Sequence, residues 1–155
     1  MIKKLLYCFS VYLLFVSSLV SASSVFINPS LNYNVNSNSD SSDINIGGST
    51  KLGYQFTDSI SLQVGTGSYG RDSNRKNIYL STLGASYDYL ISERYDLYFG
   101  LGGYQYRSNV DFLLSFGMKM NLDEDLILKV GYEFFNNLFT EHDVYSFSVG
   151  FIYVF

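Results

Sequence analysis

Tryptophan is absent from this 155-residue chain, proline, cysteine and histidine occur once each, and only 15% of the residues are charged. Helix-favouring runs of Ala, Leu, Glu and Lys are also missing. With one histidine and one cysteine there is no metal-binding cluster, and no phosphate loop or paired catalytic motif appears. No cofactor and no metal are therefore expected. What remains is rich in Tyr (15), Phe (13) and Gly (13). Aromatic and β-branched side chains pack well on a pleated surface, so the composition points to strands. The length allows one domain at most.

The first 22 residues read as a cleaved signal peptide rather than as part of the fold. Lys3 and Lys4 form a basic start, Leu5 to Val20 an apolar stretch, and Val20-Ser21-Ala22 ends in small residues like a cleavage site. Leu5 to Val20 is short for a spanning helix, which needs about 20 residues. Cys8 follows the lysines too closely for a lipoprotein signal. Cleavage after Ala22 leaves residues 23–155 without cysteine, which excludes disulfide and thiol chemistry. Removing Lys3 and Lys4 leaves 8 basic against 14 acidic residues, a net charge of −6 that argues against a nucleic-acid partner.

Periodicity of two runs through the rest. Tyr145, Phe147, Val149, Phe151, Tyr153 and Phe155 alternate with Val144, Ser146, Ser148, Gly150, Ile152 and Val154. Successive strand residues point to opposite faces, so one face of this segment is wholly large and apolar. Leu126 to Phe134 and Val110 to Met120 repeat the pattern. Leu97–Leu101, Tyr79–Tyr89, Ile60–Val64 and Ile44–Phe56 carry it less regularly, and Leu31–Val35 carries it least, with Pro29 expected at the start of that first strand. Eight strands result. Compact turns at Thr57-Asp58, Leu90–Arg94 and Asn121–Glu124 alternate with more polar loops at Asn36–Ser42, Gly70–Lys76, Gln105–Asn109 and Phe135–His142. Short periplasmic turns alternating with extracellular loops are the mark of an up-and-down transmembrane barrel.

Charge placement orients the faces. Lys51, Asp88, Asp96, Asp111, Lys119, Lys129 and Glu133 all share the face that holds Gly, Ser and Asn. An eight-stranded barrel is barely wide enough for its own side chains, so the aromatic face is too bulky to point inward. The seven charges are expected inside as one network. Asp96 should pair with Lys119, Asp88 should sit beside Asp96, and Lys129 should approach Lys119 diagonally. Outward aromatics would form two girdles, with Tyr54, Phe56, Tyr87, Tyr89, Tyr153 and Phe155 on the periplasmic side and Tyr79, Tyr132, Phe134 and Tyr145 on the other.

With these features the chain resembles the small outer-membrane barrels of the OmpA transmembrane-domain, OmpX/Ail and opacity-protein group. The resemblance is architectural and covers residues 23–155. It implies a monomeric eight-stranded antiparallel barrel in the outer membrane of a Gram-negative bacterium, in contact with outer-membrane lipid and lipopolysaccharide. The ending Phe147-x-Val149-x-Phe151-x-Tyr153-x-Phe155 resembles the C-terminal signal read by the barrel-assembly machinery.

Three functional readings follow. Arg71, Arg75, Lys76 and Arg107 lie near the outer surface, where arginine forks suit lipopolysaccharide phosphates. A structural or surface-interaction role, without catalysis or a wide pore, is the leading expectation, and a small-solute porin is an alternative. The other alternative is a lipid A deacylase of the PagL type, small barrels with a Ser-His-Glu arrangement, for which Ser146, His142 and Glu133 would be the required set. The deacylase pattern His-x-Ser-Asn is absent, since the chain reads His142-Asp143-Val144-Tyr145-Ser146.

Overall fold

The computed structural model describes residues 24–36, 45–71, 77–136 and 144–155. The expected signal peptide (1–22) and most of three of the four longer loops lie outside them. The eight strands are β1 (Ser24–Asn36), β2 (Asn45–Thr57), β3 (Ile60–Arg71), β4 (Asn77–Ser92), β5 (Tyr95–Tyr106), β6 (Asn109–Asn121), β7 (Leu126–Phe135) and β8 (Val144–Val154). They pair antiparallel in chain order, and β8 closes on β1. Closure leaves no unpaired sheet edge, which is what a lipid surround demands of a β structure.

Three boundaries differ from the sequence reading. β1 begins at Ser24, so Pro29 lies inside the strand rather than at its start. It faces Thr50 of β2 without disturbing that ladder. On the other side, Asn28 and Pro29 drop out of the β8 ladder, although Ile27↔Tyr153 and Ser30↔Gly150 hold one register. Proline has no N–H to give, so the break falls where its bond would have been. β4 runs through Leu90 and Ile91 to Ser92, which shortens the expected Leu90–Arg94 turn to Glu93-Arg94. The β5–β6 connection is likewise only Arg107-Ser108, with Arg107 at φ 55° in the left-handed region that the first central position of a II′ hairpin turn requires.

The inside–outside assignment follows the alternation. Leu31, Ile46, Leu101, Val110 and Tyr79 face outward and are more than 60% exposed. Lys51, Lys119, Lys129 and Glu133 point inward and are less than 10% exposed. An apolar exterior of this extent has no place on a soluble monomer, where large apolar patches are rare.

Inside, the chain is layered. At the end bearing the longer loops, Tyr69, Ile78, Leu80, Tyr104, Leu113, Phe135 and Val144 pack into an apolar cluster. Its rings meet edge to face, with centroids 4.7 Å apart for Tyr69–Phe135 and 5.4 Å for Tyr104–Phe135. Below it the interior is polar. Ser30 and Ser49 bond at 2.7 Å, as do Ser61 and Ser86. At the short-turn end Phe26 and Ile152 are buried at the β1–β8 seam.

Candidate functional site in the barrel interior

The seven expected charges all lie on inward positions, where two lysine–carboxylate ion pairs stand out among the described residues. Lys51 on β2 reaches across the lumen to Glu133 on β7, and its ammonium bonds Glu133 Oε1. The other carboxylate oxygen accepts the Tyr69 hydroxyl at 3.1 Å. Both charges are almost fully buried, so each depends on the other for the solvation it has lost.

A second pair sits nearer the short turns. Lys119 was expected to join Asp96, and the two are indeed register partners across β5 and β6. The lysine instead passes over β5 to Asp88 on β4, Nζ to Oδ2 2.5 Å. A lysine stem is long enough to choose among several strands, so register alone does not fix its partner. Asp88 lies opposite Tyr98, a diagonal step from Asp96. Lys129 is directly opposite Lys119 rather than diagonal to it. Both lysines lie by the Tyr98 ring, with Lys129 Nζ 4.3 Å and Lys119 Nζ 5.9 Å from its centroid. Such placement over a ring face is favourable for an ammonium. Asp111 lies apart at the outer end, where it accepts the Phe112 amide at 2.7 Å and the Asn136 side-chain amide at 3.0 Å.

Replacing Lys119 by Met should therefore destabilise the barrel by stranding Asp88 rather than Asp96. The expected outcome is a lower urea midpoint for Lys119→Met and recovery in Lys119→Met/Asp88→Leu. A double with Asp96→Leu should recover less.

The deacylase arrangement fares badly in this geometry. Ser146 is opposite Glu133 across β7 and β8. However, it is fully buried beneath Val144, and Glu133 is engaged by Lys51 and Tyr69. A nucleophile must reach its substrate, and this hydroxyl is sealed inside the wall. His142 lies outside the described residues. No group of three or more metal-binding side chains occurs among the described residues.

The middle of the described interior is narrow. One mid-barrel cavity, lined by Lys51, Gln63, Thr82, Leu113 and Ser115 among others, has a volume of about 10 Å³. That is room for one water molecule. Tyr98 is fully buried across the lumen below it.

Of the four basic residues expected to meet ligand, Arg107 is exposed and its guanidinium lies 4.9 Å from the Tyr106 ring centroid. Arg71 ends β3, and Arg75 and Lys76 lie outside the described residues. The terminal aromatic series is outward-facing. Tyr153 and Phe155 meet edge to face at 4.9 Å, and the Phe155 amide donates to Val25 O at 2.9 Å.

No family model and no curated protein matches the chain. Solved structures do. Neisserial surface protein A aligns with a TM-score of 0.64 at 17% identity, over 87% of this chain and all of that one. The Ail protein of Yersinia pestis, solved with the heparin analogue sucrose octasulfate, aligns with a TM-score of 0.58 at 18% identity, over 86% and 97%. A designed transmembrane β-barrel aligns with a TM-score of 0.65 at 16% identity, over 85% and 95%. At such identities the likeness is one of fold: like these, the chain is a closed eight-stranded antiparallel barrel, and its exterior is apolar.

Proposed function

We propose that this chain is an integral outer-membrane barrel with a structural or surface-interaction role, non-enzymatic and closed to solutes. One observation carries the reading: an apolar exterior encloses an interior filled by its own side chains and capped by the Tyr69–Phe135 cluster. Such a molecule offers lipid contact along its wall and loop contact at its outer end. Arg71, Arg75, Lys76 and Arg107 are the groups proposed to meet lipopolysaccharide phosphates there.

Lipid A from cells with and without the protein separates this reading from the hydrolase. An unchanged acyl pattern is expected, and loss of an acyl chain only in expressing cells would sink the proposal. Purified barrel in planar bilayers should show no solute-sized conductance.

Phe147, Val149, Phe151, Tyr153 and Phe155 are proposed as the contact for the assembly machinery. Phe155→Asp should sharply lower the yield of heat-modifiable, membrane-inserted protein, because it removes the terminal ring and puts charge at the lipid boundary. An unchanged yield would count against the assembly role.

A further inference from the structure

Two rows of rings cross the outside of β6, β7 and β8. One runs Phe112, Phe134, Tyr145, with centroids 6.1 and 5.2 Å apart. The other runs Phe116, Tyr132, Phe147, at 5.6 and 5.2 Å. All but the diagonal Phe112–Phe134 contact join register partners, whose side chains a sheet brings together.

Both rows end at the seam between β8 and β1. There the partner of Tyr145 is Val35, which has no ring, and the partner of Phe147 is Tyr33. At this junction the outer wall is hollowed into a cleft of about 330 Å³, lined by Tyr33, Val35, Tyr132, Tyr145 and Phe147. Phe147 lies between Tyr33 and Tyr132 by register. It is less exposed than the other outward residues of β8, Tyr145, Val149, Phe151 and Tyr153. The cleft belongs to the loop-side half of the wall, since Val35 is next to the end of β1 and Tyr145 next to the start of β8.

Its size falls in the range of small-ligand clefts, roughly 300–1,000 Å³. Its lining carries no charge. The side-chain polar atoms in that lining are the hydroxyls of Tyr33, Tyr132 and Tyr145, and none of the three has a hydrogen-bond partner among the described residues. Side chains beside an empty space forgo their dispersion contacts, so a hollow in a lipid-facing wall is filled by hydrocarbon. Tyr33 and Tyr132 flank β8 from strands two spacings apart, roughly 9.6 Å, a width that suits one hydrocarbon chain. The phenols add a requirement: the chain that fits best carries a polar group of its own, because a hydrogen bond made inside an apolar wall is strong.

We propose that this cleft seats one acyl chain of a lipid A molecule. The proposal rests on the outer-membrane reading above, which puts the loop-side half of the wall in the outer leaflet. Lipid A suits the lining better than a phospholipid because its acyl chains carry β-hydroxyl groups, whereas a phospholipid chain is plain hydrocarbon beyond its ester. The seam thus holds a lipid at a fixed place on the barrel, apart from the phosphate contacts proposed for Arg71, Arg75, Lys76 and Arg107.

The barrel folded into phosphatidylglycerol vesicles containing lipid A, then extracted in mild detergent, can be weighed by native mass spectrometry. One lipid A per barrel should survive extraction, and no phospholipid. Val35→Trp, which fills the cleft, should lose that lipid. Leu83→Trp, on the outward face of β4, should keep it. The triple variant Tyr33→Phe/Tyr132→Phe/Tyr145→Phe keeps the hollow without its hydroxyls and should retain phosphatidylglycerol as readily as lipid A. Wild-type barrel that retains no lipid, retains both lipids equally or pairs with a second copy instead would overturn the proposal. So would lipid A that survives Val35→Trp, or a preference unchanged in the triple variant. Should Val35→Trp give no heat-modifiable band, Val35→Phe takes its place with the same outcomes. Folding is read from that band and not from the lipid, so a folded barrel without lipid A refutes the cleft and leaves the outer-membrane reading standing.

Discussion

Replacing Lys51 by Met should cost the barrel about 3–5 kcal/mol, the usual penalty for leaving a buried charge without its partner. Of its hydrogen bonds Glu133 would keep the one from the Tyr69 hydroxyl, at 3.1 Å, in a site 3% exposed, with the charge of Lys129 nearby. The carboxylate cannot relax into solvent, because the cluster of Tyr69, Phe135 and Val144 lies above it. The double variant Lys51→Met/Glu133→Leu should recover most of the loss, since an apolar pair of similar volume needs no solvation. Urea titration in lipid, followed by circular dichroism or the heat-modifiable gel shift, would measure both; the absence of tryptophan removes the usual fluorescence probe. A single-variant cost below about 1 kcal/mol is what an exposed pair gives. That result would mean that water reaches Glu133 freely.

The ion pair also marks where sequence reading stops. Lys51 and Glu133 are 82 residues apart and on non-adjacent strands. No turn geometry links them; only the width of the lumen does. Alternation could place both on the inward face, because each is flanked by apolar or small neighbours of opposite orientation. It could not say which of three inward lysines would meet which carboxylate, and Lys119 bonds Asp88 rather than the expected Asp96.

The outer apolar cluster was hidden differently. Ile78-Tyr79-Leu80, Phe112-Leu113-Leu114, Phe134-Phe135 and Val144-Tyr145 are apolar on both faces. Where both faces are apolar, period-two contrast vanishes, and an alternation count credits only the outward set. Such doublets recur at the loop-proximal ends of β4, β6, β7 and β8, and that recurrence is the signal for a plug. β8 was legible along its whole length because small inward residues, Ser146, Ser148 and Gly150, keep the contrast sharp. β1 was least legible because Pro29 is a poor strand residue by rule. It is tolerated here because the bond it cannot make falls at the seam with β8 alone.

Gly131→Ala should be among the most damaging single-methyl changes in the molecule, although alanine suits a strand no worse than glycine. Gly131 and Gly117 are register partners on β7 and β6, and the Tyr98 side chain lies against both. A Cβ at residue 131 would run into the Tyr98 hydroxyl and come 2.5 Å from the Phe116 carbonyl oxygen. The first obstacle is a side chain, but Tyr98 is fully buried and braced by Lys129, so it has little room to yield. The second is backbone in the neighbouring strand and cannot move without disturbing the ladder. Overpacking of this kind costs about 1–3 kcal/mol and sometimes more. Gly103 is the control on β5: its added Cβ would lie 3.4 Å from Asp111 O and meet nothing else within 4 Å. Gly103→Ala should thus be close to neutral in the same urea titration. Tyr98→Leu added to Gly131→Ala should recover part of the loss but not all, because the Phe116 carbonyl remains. Full recovery would mean that the tyrosine is the whole obstacle. Equal midpoints for Gly131→Ala and Gly103→Ala would show that the Tyr98 seat on this glycine pair is not tightly packed.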